Sequence, residues 1–192
     1  MNDIFRCPWC GEDPLYVAYH DSEWGVPLRD DWALFELLCL EGAQAGLSWI
    51  TVLRKREAYR RVFDRFDPGT VARYDQRRIE EILTDRGIIR NRLKVRSVVK
   101  NARAFLDLQE REGSFSQYLW GFVEGKPIQN RWRSLSQVPA ESELSRRISK
   151  DMKKRGFQFV GPVIIYSLIQ SAGLVNDHLV DCFRYDECFK MQ

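Results

Sequence analysis

Residues Gly156-Phe157-Gln158-Phe159-Val160-Gly161 decide the fold, because this short turn of apolar residues and glycines separates two helical patterns. Apolar residues recur at helical spacing before it, and a compact apolar helix is predicted over 162–172 after it. Glycine lets a backbone come close to DNA, and the free N–H groups that begin the second helix can face a phosphate. The turn predicts a helix-hairpin-helix with Gly156, Phe159 and Gly161 at the DNA backbone; a plain αα-hairpin is the alternative.

Helical patterns continue outward from this turn in both directions, and no stretch shows the sustained period-two alternation of a strand. We find no internal repeat and no low-complexity linker, so residues 1–192 are predicted to form a single all-α domain. The segment 126–141 is predicted to be a long connection. The predicted helices have apolar stripes at Leu34, Leu37 and Leu38, at Ile79, Ile82 and Leu83 (ending near Gly87), at Val95 to Leu106 (running toward Gly113) and at Leu144, Ile148 and Met152, with shorter helices after Asp67-Pro68 and over 115–123.

The composition is that of an ordinary globular protein, with 44% hydrophobic and 30% charged residues among 192. The chain has no apolar run near the roughly 20 residues that span a bilayer, so we expect no membrane partner. Its first residues, Met1 to Arg6, lack the pattern of a signal peptide, and we expect a cytoplasmic protein.

Basic residues are clustered although the net charge is only +3. Clustered cations are typical of proteins that bind a polyanion, but charge alone favours the simpler interpretation of solvated helix faces. The two clusters are Arg86, Arg90, Arg92, Lys94 and Arg96, and Lys150, Lys153, Lys154 and Arg155.

Glu41 continues the helical stripe of Leu37 and Leu38 and therefore lies on a face that should be buried. A carboxylate is rarely buried without a partner or a purpose. Gly42 and Gly46 keep its surroundings open. Glu41 is therefore a candidate pocket residue, and a carboxylate at a helix end that reaches solvent or an arginine is the alternative.

The two histidines of the chain each have a cysteine near them. His178 and Cys182 are four residues apart, which places them on one face of a helix or helix-like turn. Asn176 and Asp177, just before them, are suited to cap such a helix. Cys7 and His20 supply a second pair at the other end of the chain.

Two Cys/His pairs provide the four ligands of a closed tetrahedral zinc site. Such a site joins the N- and C-terminal segments and is structural, because it leaves no open position for a catalytic water. Two alternatives stay open: the pairs are a coincidence, or Cys10 of Cys7-Pro8-Trp9-Cys10 replaces Cys7 or forms a redox pair with it.

Several long stretches resemble one family, DNA-3-methyladenine glycosylase I, over nearly the whole chain and in the expected order. The stretches are Asp13-Pro14-Leu15-Tyr16-Val17-Ala18-Tyr19-His20-Asp21-Ser22-Glu23-Trp24-Gly25-Val26-Pro27, Leu40-Glu41-Gly42-Ala43-Gln44-Ala45-Gly46-Leu47-Ser48-Trp49, Arg86-Gly87-Ile88-Ile89-Arg90-Asn91 with Lys94, Lys154 to Gly161, and Gly173-Leu174-Val175-Asn176-Asp177-His178.

This resemblance implies an all-α helix-hairpin-helix DNA glycosylase fold, a structural Zn²⁺ and a base pocket at Glu41. It places the zinc ligands at Cys7, His20, His178 and Cys182, and aromatic pocket residues at Trp9, Tyr19, Trp24 and Trp49. The sequence departs from the family in Cys10, and its end around Cys188 also differs. We assign the three other tryptophans, Trp32, Trp120 and Trp132, to core packing.

The expected reaction is hydrolysis of the N-glycosidic bond of 3-methyladenine in alkylated double-stranded DNA, leaving an abasic site without strand cleavage. Aromatic faces and Glu41 would favour the cationic methylated base over adenine. The motifs place no lysine to attack the sugar, and the resemblance implies no role for Asp177. We expect a monomer. A non-catalytic, zinc-stapled DNA-binding module is the main alternative, and a thiol redox protein lacks the expected βαβ pattern.

Overall fold

The computed structural model describes residues 4–191. Residues 1–3 and 192, which include the start of the N-terminal segment without a signal pattern, lie outside the described residues. Within the described range the chain forms eleven α-helices and one pair of two-residue strands, so the predicted all-α fold is confirmed. The helices are α1 (Pro14–Ser22), α2 (Asp31–Gln44), α3 (Trp49–Leu53), α4 (Arg56–Val62), α5 (Pro68–Val71), α6 (Gln76–Ile82), α7 (Arg92–Glu112), α8 (Phe115–Gly121), α9 (Glu143–Lys154), α10 (Pro162–Ser171) and α11 (Phe183–Lys190).

Most helices begin at a side-chain cap that the local sequence supplies. Asp67 accepts a hydrogen bond from the Thr70 amide ahead of Pro68, as the cap-then-proline pattern predicts. The longest helix, α7, begins at the Asn91 cap and ends before Gly113, also as predicted. The predicted end of α6 near Gly87 is wrong, because α6 already ends at Ile82 and a turn follows it.

The core lies around α2, which is buried along most of its length. Phe35 packs against Phe105 of α7, with ring centroids 5.0 Å apart, and α2 also contacts α3, α8 and α10. Burying large aromatic and aliphatic side chains contributes about 1.5–3 kcal/mol for each fully buried one. Because this burial surrounds α2 on several sides, Glu41 has a fixed position inside the protein.

The connection over 126–141 contains the one feature that the helical patterns did not indicate. Its strand β1 (Ile128–Gln129) pairs in parallel with β2 (Val175–Asn176), and the 3₁₀ turn Leu135–Gln137 follows. The amide of Ile128 donates to the carbonyl of Leu174 at 2.9 Å. These backbone contacts hold the connection against the segment that follows α10.

The N-terminal and C-terminal thirds of the chain meet at Gly173, which follows α10. Its φ is +70°, and a Cβ atom there would lie 2.6 Å from the backbone of Val26 and Pro27. Only glycine fits at this separation and backbone angle. None of the described helices is long and apolar enough to cross a membrane.

Candidate active site

A cavity of about 180 Å³ opens between α1, α2, α10 and the 126–141 connection. Aromatic rings form much of its wall, and two carboxyl groups, from Glu41 and Asp177, also line it. The residues around it are Trp9, Tyr16, Tyr19, Trp24, Glu41, Gln44, Trp49, Leu135, Val138, Ser167, Gln170, Ser171 and Asp177.

Glu41 is buried on α2, with 2% of its surface exposed. Its Oε1 accepts a hydrogen bond from Ser171 Oγ at 2.9 Å, and Ser171 Oγ in turn accepts one from the Tyr19 hydroxyl at 3.1 Å. Its Oε2 is buried without a partner. Burial raises the pKa of Glu41 to about 8, so the group is neutral at pH 7 before a ligand enters.

The aromatic wall is built from three parts of the chain. The ring centroids of Trp9 and Trp24 lie 5.0 Å apart, as do those of Trp9 and Tyr16. Tyr19 lies against Trp49 at 5.4 Å. The indole N–H groups of Trp9 and Trp49 are buried without partners. Flat rings and unused donors suit a flat heterocycle that offers acceptors at its edge.

Asp177 faces the same cavity and is also buried, with 2% of its surface exposed. Its Oδ1 accepts hydrogen bonds from Asn130 Nδ2 at 2.6 Å and Trp132 Nε1 at 2.8 Å. Its Oδ2 accepts from the Tyr166 hydroxyl at 2.6 Å and Gln170 Nε2 at 2.7 Å. These bonds tie the 126–141 connection to α10 across the cavity.

The four predicted metal ligands form one buried cluster near the cavity. Their ligand atoms, in Cys7, His20, His178 and Cys182, lie within 4.8 Å of one another. His178 Nδ1 is 3.6 Å from both sulfurs, and His20 Nε2 is 3.4 Å from the sulfur of Cys182. Hydrogen bonds from Cys7 and from both histidines lower the pKa of the Cys182 thiol. Two sulfurs and two imidazole nitrogens are a donor set that fits zinc.

The nitrogens of these histidines that face away from the cluster have their own partners. His20 Nδ1 lies 2.7 Å from Asp21 Oδ1, and Arg6 holds Asp21 with two nitrogens. His178 Nε2 lies 3.0 Å from the carbonyl of Trp24. Such contacts fix the ring orientation and direct the free nitrogen of each ring to the metal. The bond to Trp24 also links the cluster to a wall of the cavity.

The hairpin turn between α9 and α10 is held from two sides. Asn101 of α7 donates to the Gln158 carbonyl at 3.0 Å and accepts from the Gln158 amide at 2.7 Å. Ser149 Oγ donates to the Val160 carbonyl at 2.6 Å. Gly156 has φ +92° and Phe159 has φ +54°, an unusual angle for a residue with a side chain. Gly161 begins α10 without a side-chain cap, so its first amides stay available.

The family model for methyladenine glycosylases matches residues 9–185 of this chain. The chain belongs to the methyladenine glycosylase family.

Two curated members of this family are half identical to the chain. DNA-3-methyladenine glycosylase 1 of Escherichia coli K12 is 50% identical over 180 residues, which cover 94% of this chain and 96% of the relative. The DNA-3-methyladenine glycosylase of Haemophilus influenzae is 50% identical over 177 residues, covering 92% and 96%.

Solved structures of methyladenine glycosylases have the same fold. A crystal structure of 3-methyladenine DNA glycosylase I is 50% identical and superimposes with a TM-score of 0.92, over 93% of this chain and 98% of that one. A Y16F variant of a 3-methyladenine DNA glycosylase I in complex with 3-methyladenine is 40% identical, with a TM-score of 0.90 over 93% and 96%.

The structure brings together the site residues that the sequence suggested for a methyladenine glycosylase. Glu41 and the four aromatic residues line one cavity, and the four metal ligands form one cluster. Cys10 lies outside that cluster, with its thiol donating to the Cys7 carbonyl at 3.2 Å, so the geometry favours Cys7 as the ligand. Tyr16 was missed, although it lies one helical turn before Tyr19 in the same quoted stretch.

Three sequence interpretations are wrong. Asn176 and Asp177 do not cap a helix, because Asn176 is in β2 and the turn that carries His178 reaches α11 only after Cys182. Trp32 is not a core residue: 45% of its surface is exposed, and its indole donates to the Arg65 carbonyl. Trp132 is only partly buried and binds Asp177, whereas Trp120 is buried as expected.

Proposed function

We propose that this protein removes 3-methyladenine from alkylated double-stranded DNA in base-excision repair, by hydrolysis that leaves an abasic site and an uncut strand. Its family membership makes it a DNA-3-methyladenine glycosylase. The observation that carries the proposal is the buried aromatic cavity with the unpartnered Oε2 of Glu41 inside it.

The cavity suits a cationic purine that has left the base stack. Flipping a base out of a duplex costs a few kcal/mol, and stacking on aromatic side chains returns about 1–3 kcal/mol per base. A cation over electron-rich rings gains roughly another 0.5–2 kcal/mol, which neutral adenine does not. The unused oxygen of Glu41 can accept a hydrogen bond from the adenine edge. These terms together select the methylated base.

The reaction requires little help at the leaving group, because the methylated base departs as a neutral molecule. The bond between the base nitrogen and C1′ breaks with its electron pair going to the base, and water then adds to C1′ and loses a proton. None of the described residues that line the cavity is a lysine, so no amine is placed to form a covalent intermediate with the sugar. This arrangement supports simple hydrolysis.

The hairpin turn supplies a site for the DNA backbone in this proposal. Gly156 and Gly161 present backbone without side chains, and the first amides of α10 can bind a phosphate oxygen. Phe159 lies between them on the turn that Asn101 and Ser149 hold. Such contacts position the enzyme on DNA without reading its sequence.

We assign Zn²⁺ to the Cys7, His20, His178 and Cys182 cluster, in a structural role. Bound there, the ion supplies four ligand bonds that join the two ends of the chain, and it offers no open position for a reacting water. A cytoplasmic monomer stays a prediction from the sequence.

The test is release of free bases from DNA treated with a methylating agent, identified by chromatography. We expect 3-methyladenine and little 7-methylguanine. Glu41→Gln should reduce the rate about 100-fold and leave DNA binding unchanged. Glu36→Gln, on the same helix but paired with Arg60 at 2.7 Å, is the matched control.

No free base from folded protein would leave only a zinc-stapled DNA-binding module. Nicked product, or an adduct trapped by borohydride, would instead contradict simple hydrolysis.

A further inference from the structure

Asp177 is a buried carboxylate in the cavity wall that the reaction described above does not use. All four groups that bind it are neutral donors: the Asn130 amide, the Trp132 indole, the Tyr166 hydroxyl and the Gln170 amide. Because every partner donates, the carboxyl group needs no proton of its own, and it carries a full negative charge.

This charge has no cationic partner. None of the described lysines and arginines forms an ion pair with Asp177, whereas the carboxylates of Asp21 and Glu23 are both bound by arginine. A buried charge is costly unless it is paired or has a function, and here hydrogen bonds alone hold it. The negative charge therefore acts on the cavity without neutralisation by the protein.

The hydrogen bonds also limit what Asp177 can do. A carboxylate has about four acceptor positions, and all of them are occupied. Asp177 therefore has no position left with which to take a proton from water or to attack the sugar. What remains is the field of a charge that its four partners hold fixed.

We propose that Asp177 is a positioning charge that stabilises the positive sugar formed when the methylated base leaves. The inference rests on the proposed glycosylase function. Before the bond breaks, the positive charge is on the base; afterwards the base is neutral and the charge is on the deoxyribose, until water adds. A fixed anion favours the state whose charge it was built to meet, because it needs no reorganisation during the reaction.

Two abasic-site analogues separate this role from a purely structural one. One duplex carries a pyrrolidine, which is cationic at neutral pH and resembles the charged sugar; the other carries a neutral tetrahydrofuran. The wild type should bind the pyrrolidine duplex at least about tenfold more tightly at fixed salt. In Asp177→Asn this preference should disappear, while the affinity for tetrahydrofuran DNA changes less than about threefold. The excision rate should fall about 10–100-fold.

Asparagine can take the place of Asp177 without breaking the network. The Tyr166 hydroxyl can accept as well as donate, and the Gln170 amide can turn its oxygen toward the new NH₂ group. If Asp177→Asn does not fold, Asp177→Asn with Tyr166→Phe removes one of the two partners that must reverse. Tyr166→Phe and Trp132→Phe, which each lose one donor but keep the carboxylate, are the matched controls and should keep the preference.

The outcomes are distinct. Equal loss of affinity for both analogues in Asp177→Asn would show that Asp177 only ties the connection to α10, and would overturn the inference. So would a wild type without preference, or a variant that keeps it. Failure of the wild type to release 3-methyladenine would instead overturn the proposed function, and is measured separately.

Discussion

Glu41 shows how a single buried residue prepares the pocket for one kind of ligand. The free carboxyl group is neutral because burial raises its pKa to about 8. A cationic base that entered the cavity would favour the ionised form, since an opposite charge nearby lowers the pKa of a carboxyl group. Neutral adenine offers no such charge. The group can therefore remain uncharged in the free enzyme and ionise only against the right base.

The same residue makes the stability of the free protein depend on pH. Its pKa in the folded protein, about 8, is above the ordinary value of 4.5. The stability that it contributes is therefore complete below pH 4.5 and is lost as the pH rises through 8, by about 4–5 kcal/mol in total. Glu41→Gln keeps the acceptor for Ser171 and removes this loss.

We therefore expect the stability gain of Glu41→Gln over the wild type to increase by several kcal/mol between pH 5 and about 8. Urea unfolding at intervals over that range measures the gain. A difference that stays constant with pH would show that the carboxyl group is already charged in the free protein.

The site residues that the sequence identified are those with a local signal. Glu41 interrupts an apolar stripe, and the Cys/His pairs have ligand spacing. Asp177 had no such signal, because its partners Asn130 and Trp132 reach it through the irregular 126–141 connection. Its position depends on tertiary pairing between β1 and β2, two residues each, which is too short for any periodic pattern.

At the scale of elements, α2 links the pocket to the hairpin turn. Gly42 follows Glu41 directly, and a Cβ atom there would lie 3.3 Å from the Cβ of Phe159. That distance is tighter than an ordinary contact, and Phe159 cannot yield easily because the turn is held by Asn101. A side chain at Gly42 would therefore move the turn that is proposed to meet DNA.

Gly42→Ala should weaken DNA binding and excision by about three- to tenfold, although alanine favours a helix by about 1 kcal/mol. The matched control is Gly121→Ala in α8, where a Cβ atom would meet nothing within 4 Å. The control should keep full activity and raise stability slightly. DNA affinity at fixed salt and the melting temperature measure both effects, and equal behaviour of the two variants would refute the contact.

A second element contact joins α7 to the end of α2. Lys94 Nζ donates to the carbonyls of Ala43 at 2.9 Å and Ala45 at 2.6 Å, and burial lowers its pKa. A cation at these last carbonyls of the helix is favourable, and hydrogen bonds to a charged group contribute about 1.5–3 kcal/mol each. This ammonium group fixes the loop between Glu41 and Trp49.

Lys94→Met should therefore lower stability by about 1–3 kcal/mol and the excision rate about tenfold, because the loop that leads to Trp49 loosens. Lys100→Met, at an exposed position of the same helix, is the control and should change neither. Denaturant unfolding and single-turnover excision measure the two quantities. An excision rate unaffected by Lys94→Met would mean that the loop is held by other contacts.

For the whole molecule, the helices were predictable and their spatial arrangement was not. Periodic apolar residues with caps at Asp67 and Asn91 identify α5 and α7, since both signals are local. The turn that carries His178, and the pairing of β1 with β2, follow from contacts between distant parts of the chain. The basic clusters are also mixed in the structure: Arg155 pairs with Asp151 and Glu112, and Arg92 with Glu80, so part of the charge is balanced locally.

The cluster of Cys7, His20, His178 and Cys182 joins the two ends of this molecule, so its loss should affect the fold as a whole. An ion that binds only the native state at about 1,000 times its dissociation constant stabilises it by about 4 kcal/mol, and 1 kcal/mol corresponds to about 2–4 °C in a domain of this size. We expect a strong zinc chelator, or Cys182→Ser, to lower the melting temperature by about 10 °C and to remove one equivalent of zinc. Cys10→Ser changes a buried thiol three residues from Cys7 and should retain the metal, because Cys10 bonds to the Cys7 carbonyl outside the cluster. Zinc released on thiol oxidation, read with a colorimetric indicator beside the melting curve, checks both variants. Retention of zinc by Cys182→Ser together with its loss from Cys10→Ser would move the ligand to the other cysteine and break the proposed link between the ends.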